Sequence, residues 1–169
     1  MLDDKKLFKL QIRFHALMIY RNAPPDFNPR FEVVSCLCEY DGRVLLLHRQ
    51  DHASEGNKWG VPAGKVYPDE EHARAAVREL WEETGFKLPQ QQLAYFGRIC
   101  VRCPDYDFLY HMFHARLNKQ IDIRINRSEH KGFIWVSPKE ALKMDLVLDE
   151  DKCIRLFYKI EGFEYRAEP

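Results

Sequence analysis

GKVYPDEEHARAAVRELWEETGF, residues 64–86, carries six carboxylates and three Lys/Arg side chains, with a glycine at its start and another next to its end. Its composition predicts a helix from Pro68 to Thr84. Asp69, Glu70 and Glu71 would sit in the first turn, where negative charge favours the helix dipole. Gly85 falls just past the end, where helices are often closed by a left-handed residue. At about 100° per residue, Ala73, Ala76, Val77 and Leu80 share one side, which is expected to face the core. Glu79, Glu82 and Glu83 are spaced i, i+3, i+4 and share a different side. Like charges so placed cost a helix about 0.2–0.5 kcal/mol per pair. A solvated, screened face is the ordinary reading of such a cluster. The other reading is a set of oxygen ligands for a hard divalent cation that also holds substrate phosphate. The preceding loop WGVPAGKV, residues 59–66, has two glycines and a proline, and one of its carbonyls could complete such a shell. Arg78 adjoins Glu79 and could fix its orientation.

Outward from this helix, residues 3 to about 20 read as another helix, with Leu7, Leu10, Phe14, Leu17 and Met18 at helical spacing. The three prolines of NAPPDFNPR, residues 22–30, end it in a loop. FEVVSCLCEY and RVLLLHRQ flank Asp41-Gly42, a strong hairpin signal, and predict two antiparallel strands. DHASEGNKWG, residues 51–60, is a polar loop. QQLAYFGRICVR and DFLYHMFHARL predict a second hairpin turning at CPDY. GFIWV, residues 132–136, reads as a short buried strand. Ser137-Pro138 supplies an N-cap and a first-turn proline for a short helix. Residues near 149–160 predict a final helix. Helices alternating with antiparallel and mixed strands imply a sheet covered on both faces.

A length of 169 residues suits one domain, and 46% apolar with 31% charged content describes a globular chain rather than a disordered one. Net charge is zero and no basic stripe stands out, so an extended nucleic-acid partner is not expected. A small nucleotide needs only a few local cations or metals. No apolar run is long enough to span a bilayer, and MLDDKKLFKL lacks the apolar core of an export signal. Five irregularly spaced cysteines then read as reduced thiols in a cytoplasmic protein. Cys100 and Cys103 form an isolated CVRC without a second pair.

Gly64, Glu70, Arg78-Glu79-Leu80, Glu82-Glu83 and Gly85-Phe86 fill every defined position of the Nudix box, and the chain closely resembles the Nudix hydrolases. LLLHRQ before the box and EHKGFIWVSPKEA after it agree. The resemblance covers roughly residues 31–145 and leaves residues 1–30 outside. It implies an α/β/α sandwich with a mixed sheet, here with an added N-terminal helix. It implies hydrolysis of a nucleoside diphosphate linked to another group, by water attack on a bridge phosphorus assisted by Mg²⁺ or Mn²⁺. Carried over by position, Glu79, Glu82 and Glu83 are expected metal ligands, joined by the Ala63 carbonyl. Gly64 is expected to let the loop pack closely. Glu79 or Glu82 would also meet the attacking water. Glu70 and Arg78 would orient the catalytic glutamate. Glu129, six residues before Trp135, stands where a further acid is expected, and Arg49 where a phosphate contact is. Tyr106, Phe108, Tyr110 and His111 lie near the expected pocket. An aromatic there could stack on a base, although strand alternation sends every other one inward.

Other classes fit less well. AGKV lacks the glycine and the Ser/Thr of a P-loop, and no Glu-x-x-His pair supports a di-iron bundle. A non-catalytic nucleotide sensor would have an eroded box. The expected substrate is a nucleoside triphosphate or similar small nucleotide, with ADP-ribose, nucleotide sugars and dinucleoside polyphosphates as alternatives. The N-terminal helix could exchange across a homodimer or cover a sheet edge.

Overall fold

The computed structural model describes residues 18–167. Eight strands form one mixed sheet: β1 (Met18–Tyr20), β2 (Pro29–Tyr40), β3 (Arg43–Arg49), β4 (Trp59–Gly60), β5 (Ala63–Lys65), β6 (Ala94–Arg102), β7 (Asp107–Arg116) and β8 (His130–Val136). The order is β1-β6-β7-β2-β3-β4, with β5 on β2 and β8 on β3. β2 and β7 run parallel and the remaining pairs are antiparallel. Three α-helices complete it among the described residues: α1 (His72–Thr84), α2 (Pro138–Ala141) and α3 (Glu150–Tyr158). No helix among the described residues is long and apolar enough to cross a membrane.

β2 explains the layering. Its central VVSCLC run has no polar face, as expected of a strand covered on both sides. Val34 packs with Ala75, Ala76 and Phe113 beneath α1. Leu37 turns the other way, toward Val44, Leu46 and Ile154 of α3. The sheet is thus filled between α1 and α3, giving the expected sandwich. Asp41 and Gly42 both take positive φ, 49° and 69°, and close the β2–β3 hairpin. Only Glu39–Val44 and Tyr40–Arg43 pair there. Beyond them β2 leaves β3 and pairs along its length with β7, a long-range partnership that no local turn signal carries.

Several expectations are corrected. The helix read from residue 3 to about 20 lies mostly outside the described residues. Its last part is not helical, because Met18–Tyr20 pair with Cys100–Arg102 as an edge strand. Ile19 joins Ile99, Val101 and Met112 in the core, and that packing overrides the helical spacing. α1 starts at His72 rather than Pro68, so Asp69, Glu70 and Glu71 are not in its first turn. Asp69 has φ 62°, which interrupts the helix, and Arg78 and the Tyr67 N–H hold the Glu70 carboxylate elsewhere. The buried side of α1 is Ala75, Ala76, Leu80, Glu83 and Thr84, so two polar residues stand where a purely apolar face was expected. β8 is not wholly buried: Phe133 and Ile134, on opposite faces, are both exposed, because β8 is an edge strand that pairs with β3 alone among the described strands. The α2 start is as read, with a capping box between Ser137 and Glu140. All five cysteines are free thiols.

Candidate active site

The carboxylates of α1 meet the sheet through β5. Ala63, Gly64 and Lys65 pair with Ser35, Val34 and Val33. The Cys36 N–H donates to the Pro62 carbonyl and the Val66 N–H to the Glu32 carbonyl. Alternation along an antiparallel pair then turns the amides and carbonyls of Ala63 and Lys65 away from β2, toward α1. Both ends of that arrangement are seen. The Ala63 N–H donates to Glu83 Oε2 at 3.0 Å, and Arg78 Nη2 donates to the Lys65 carbonyl at 2.9 Å.

Arg78 organises the group. Its Nε and Nη2 donate to the two oxygens of Glu70 at 2.8 and 2.9 Å, a forked pairing that fixes the guanidinium plane. Nη1 donates to Glu79 Oε1 at 2.6 Å and lies 3.6 Å from Glu82 Oε2. The Tyr67 ring covers the guanidinium, 3.9 Å from its centre. The arginine beside Glu70 holds that carboxyl below the usual range. Glu79 moves the other way: burial pushes it up, and Glu83 and Glu82 add repulsion that Arg78 only partly offsets. Gly64 lies against Glu79, since a Cβ built there would fall 2.0 Å from its carboxylate carbon.

Glu83 is only 4% exposed and burial raises its pKa. Its Oε1 lies 3.1 Å from Nε2 of His130, the first residue of β8. Glu129 is beside them, with one oxygen of each carboxylate and a His130 nitrogen all within 4.8 Å. Glu129 also accepts from the Asn126 side chain at 2.8 Å. Arg78 thus gathers Glu70, Glu79 and Glu82, with Gly64 against Glu79, while Glu83 lies with the Ala63 N–H, His130 and Glu129. His130 was missed by sequence reasoning. Its only signal was its place next to Glu129 at the start of a strand.

From Glu83 and His130 a cavity of about 390 Å³ extends between the sheet and α3. Arg49, Lys65, Tyr106, Phe108 and Tyr110 line it. Arg49 Nε donates to the Ser54 carbonyl at 2.9 Å, which sets its side chain at the rim. Phe31 lies nearly parallel to Phe108, centroids 5.4 Å apart, and tilted to Tyr106 at 5.5 Å. Lys65 Nζ sits 4.3 Å from the Phe31 ring centre. His111 is not here. Alternation on β7 sends Phe108 and Tyr110 to the cavity and His111 to the other face, where it lies 2.7 Å from Glu32.

Asp149 and Glu150 also line the cavity. In the sequence they show only as the start of the last helix. Glu150 is 5% exposed, and its Oε1 has no hydrogen-bond partner among the described residues. Burial pushes its carboxyl up to about 7. Below that pH the group is mainly a carboxylic acid and offers both a donor and an acceptor to a ligand.

The donor set at the end of α1 fits a hard divalent cation. Burial raises the pKa of both Glu79 and Glu83, Glu83 adds repulsion at Glu79 and Glu129 adds it at Glu83, and a cation would offset that cost.

Comparison with known proteins agrees with this geometry. A family model described as the NUDIX domain matches residues 28–157. A CTP pyrophosphohydrolase of Escherichia coli (strain K12) is 34% identical over 68% of this chain and 82% of that protein. A dihydroneopterin triphosphate diphosphatase of Haemophilus influenzae is 31% identical over 60% of this chain and 70% of that protein. A solved MutT protein from Methanosarcina mazei Go1 superposes with a TM-score of 0.66 at 26% identity, over 80% of this chain and 98% of that one.

Proposed function

Because the chain belongs to the Nudix hydrolase family and is a nucleotide pyrophosphate hydrolase, we propose that its substrate is a nucleoside triphosphate, or a triphosphate of a similar planar heterocycle, cut to the monophosphate and pyrophosphate. The carrying observation is the continuity of one cavity from the Glu83–His130 pair to the aromatic and acidic lining around Phe108 and Glu150. One end suits phosphate and the other a ring. Two relatives named above are a CTP pyrophosphohydrolase and a dihydroneopterin triphosphate diphosphatase, and both names specify a triphosphate of a planar ring.

In this reading Glu79, Glu82 and Glu83, with the Ala63 carbonyl, hold Mg²⁺ or Mn²⁺. The ion would neutralise charge on the phosphates and make a bound water more acidic. Arg78, clamped by Glu70, keeps Glu79 in one orientation. Glu79, anchored by Arg78 Nη1, is the carboxylate placed to take the proton of the attacking water. His130 keeps Glu83 in place, and Glu129 stands ready beside it. Arg49 and Lys65 meet the phosphate tail. Tyr106 and Phe108 pack on the base, and Tyr110 and Glu150 bound its edge.

The test is hydrolysis of a panel with Mg²⁺ or Mn²⁺: nucleoside triphosphates, dihydroneopterin triphosphate, ADP-ribose, a nucleotide sugar and a dinucleoside polyphosphate. A triphosphate is expected to exceed the others by at least about 100-fold in kcat/KM, the scale on which a mismatched pocket discriminates. A preference for ADP-ribose, a nucleotide sugar or a dinucleoside polyphosphate would overturn the assignment.

Glu150 gives a prediction that needs no substrate. Its folded pKa of about 7 lies above the ordinary 4.5, so folding opposes its ionisation. The cost is absent well below pH 4.5, grows from there to pH 7, and is then constant at about 3 kcal/mol. Glu150→Gln removes it. The variant is expected to gain stability over the parent as pH rises from 5 to 8, by roughly 2–3 kcal/mol. Denaturant unfolding at the two pH values checks this. An equal difference at both would show that Glu150 is not buried as an acid.

A further inference from the structure

Alternation along β2 and β7 places Glu32 and His111 on the face opposite the cavity, where α1 begins with His72. Both imidazole Nε2 atoms lie 2.7 Å from the same oxygen, Glu32 Oε2. The two rings stack with centroids 3.9 Å apart and 20° between planes. One ligand atom from each residue lies within 4.8 Å of the other two. His111 is 5% exposed at its side chain, whereas Glu32 and His72 are 39% and 41% exposed. The trio is therefore walled on one side and open to solvent on the other.

Hydrogen bonding behind the trio points the same way. His111 Nδ1 lies 3.1 Å from the Tyr95 hydroxyl, leaving Nε2 as the inward donor atom. Metal-binding histidines commonly have such an outer partner, which fixes tautomer and ring orientation. Burial holds His111 below the ordinary imidazole range, despite Glu32.

We propose that Glu32, His72 and His111 form a second metal site, specific for a zinc-class dication, with Tyr95 as the outer partner of His111. Two imidazoles and one carboxylate make a borderline nitrogen-oxygen set, the kind that binds Zn²⁺ with an open position for water. The oxygen ligands of Glu79, Glu82 and Glu83 favour a hard ion instead, and His130, the one imidazole beside Glu83, is separated from this site by the His72→Ala comparison below. His72 is half exposed, and rotation of its ring off the stack aims both nitrogens at one ion. The positive end of the helix dipole opposes a cation here, and the negative charge of Glu32 offsets it. The three ligands come from β2, α1 and β7. A bound ion would thus fasten the start of α1, the helix that carries Glu79, Glu82 and Glu83, to the sheet.

The experiment titrates Zn²⁺ into metal-free full-length protein in a large excess of Mg²⁺, which fills the all-oxygen set, and follows binding by calorimetry. One equivalent of Zn²⁺ is expected to bind and to raise Tm. Loss of a direct ligand exceeds the 10- to 100-fold cost of losing an outer partner. His72→Ala and Glu32→Gln are therefore expected to weaken binding by at least about 100-fold and abolish the Tm shift, and Tyr95→Phe to weaken it about 10-fold. Circular dichroism verifies the folds, and His72→Ala, at an exposed position, carries the test if Glu32→Gln misfolds. Absence of stoichiometric Zn²⁺ binding in the parent protein, or equal affinity in the parent and His72→Ala, overturns the proposal.

Discussion

Glu83→Gln is expected to lower turnover by about 10³-fold while leaving the protein as stable as before, or more so. Glutamine keeps the shape of the side chain and an oxygen that can still accept from the Ala63 N–H. What it loses is the charge, and the oxygen at His130 Nε2 becomes an amide NH₂ that the other imidazole tautomer can accept. Removing one anionic ligand from a hard dication costs several kcal/mol of transition-state stabilisation, which is the stated factor in rate. Folding responds in the opposite sense. Burial already pushes Glu83 toward its neutral form, so a neutral amide is easier to bury than the carboxylate. Measuring kcat with Mg²⁺ and Tm side by side separates the two effects. Near-normal turnover would remove Glu83 from the catalytic set, and a collapse of Tm would assign it to structure.

Gly64→Ala is expected to reduce kcat by about 100-fold or more through a single methyl group. A Cβ at this position would lie 2.0 Å from the Glu79 carboxylate carbon and 2.2 Å from both its oxygens. Contacts that short cannot persist, so Glu79 has to leave the position where Arg78 Nη1 holds it. Displacement by about 1 Å is enough to cost that factor in a reaction that depends on placement. β5 should survive, because Gly64 pairs with Val34 through its backbone. The check is kcat alongside circular dichroism. Unchanged kcat in folded Gly64→Ala would mean that the position of Glu79 does not matter to the reaction.

The residues around one end of α1 were legible because their spacing is local. Glu79, Glu82 and Glu83 follow helical periodicity, Gly85 closes the helix with φ 69°, and Asp41-Gly42 closes a hairpin. Such features depend on neighbours within a few positions, so a pattern in the chain is enough to read them. The start of α1 was misread because its acids looked suited to a helix dipole. Arg78, eight residues from Glu70, bound that carboxylate and a left-handed Asp69 interrupted the helix.

Tertiary structure decided what no local pattern carries. The parallel pairing of β2 with β7 joins residues nearly eighty positions apart and settles which aromatic residues face the cavity. Tyr110 and His111 are adjacent in the chain, yet alternation placed the first in the cavity and the second beside Glu32. His130 came to Glu83 across 47 positions. The Glu150 carboxyl was pushed up to about 7 because the fold closed over it. The sequence by itself determined the reaction class, since that chemistry is concentrated in one helix and the loop before it. The shape of the substrate pocket and the pKa values within it waited for the fold, because burial and long-range contact are properties of the packed chain.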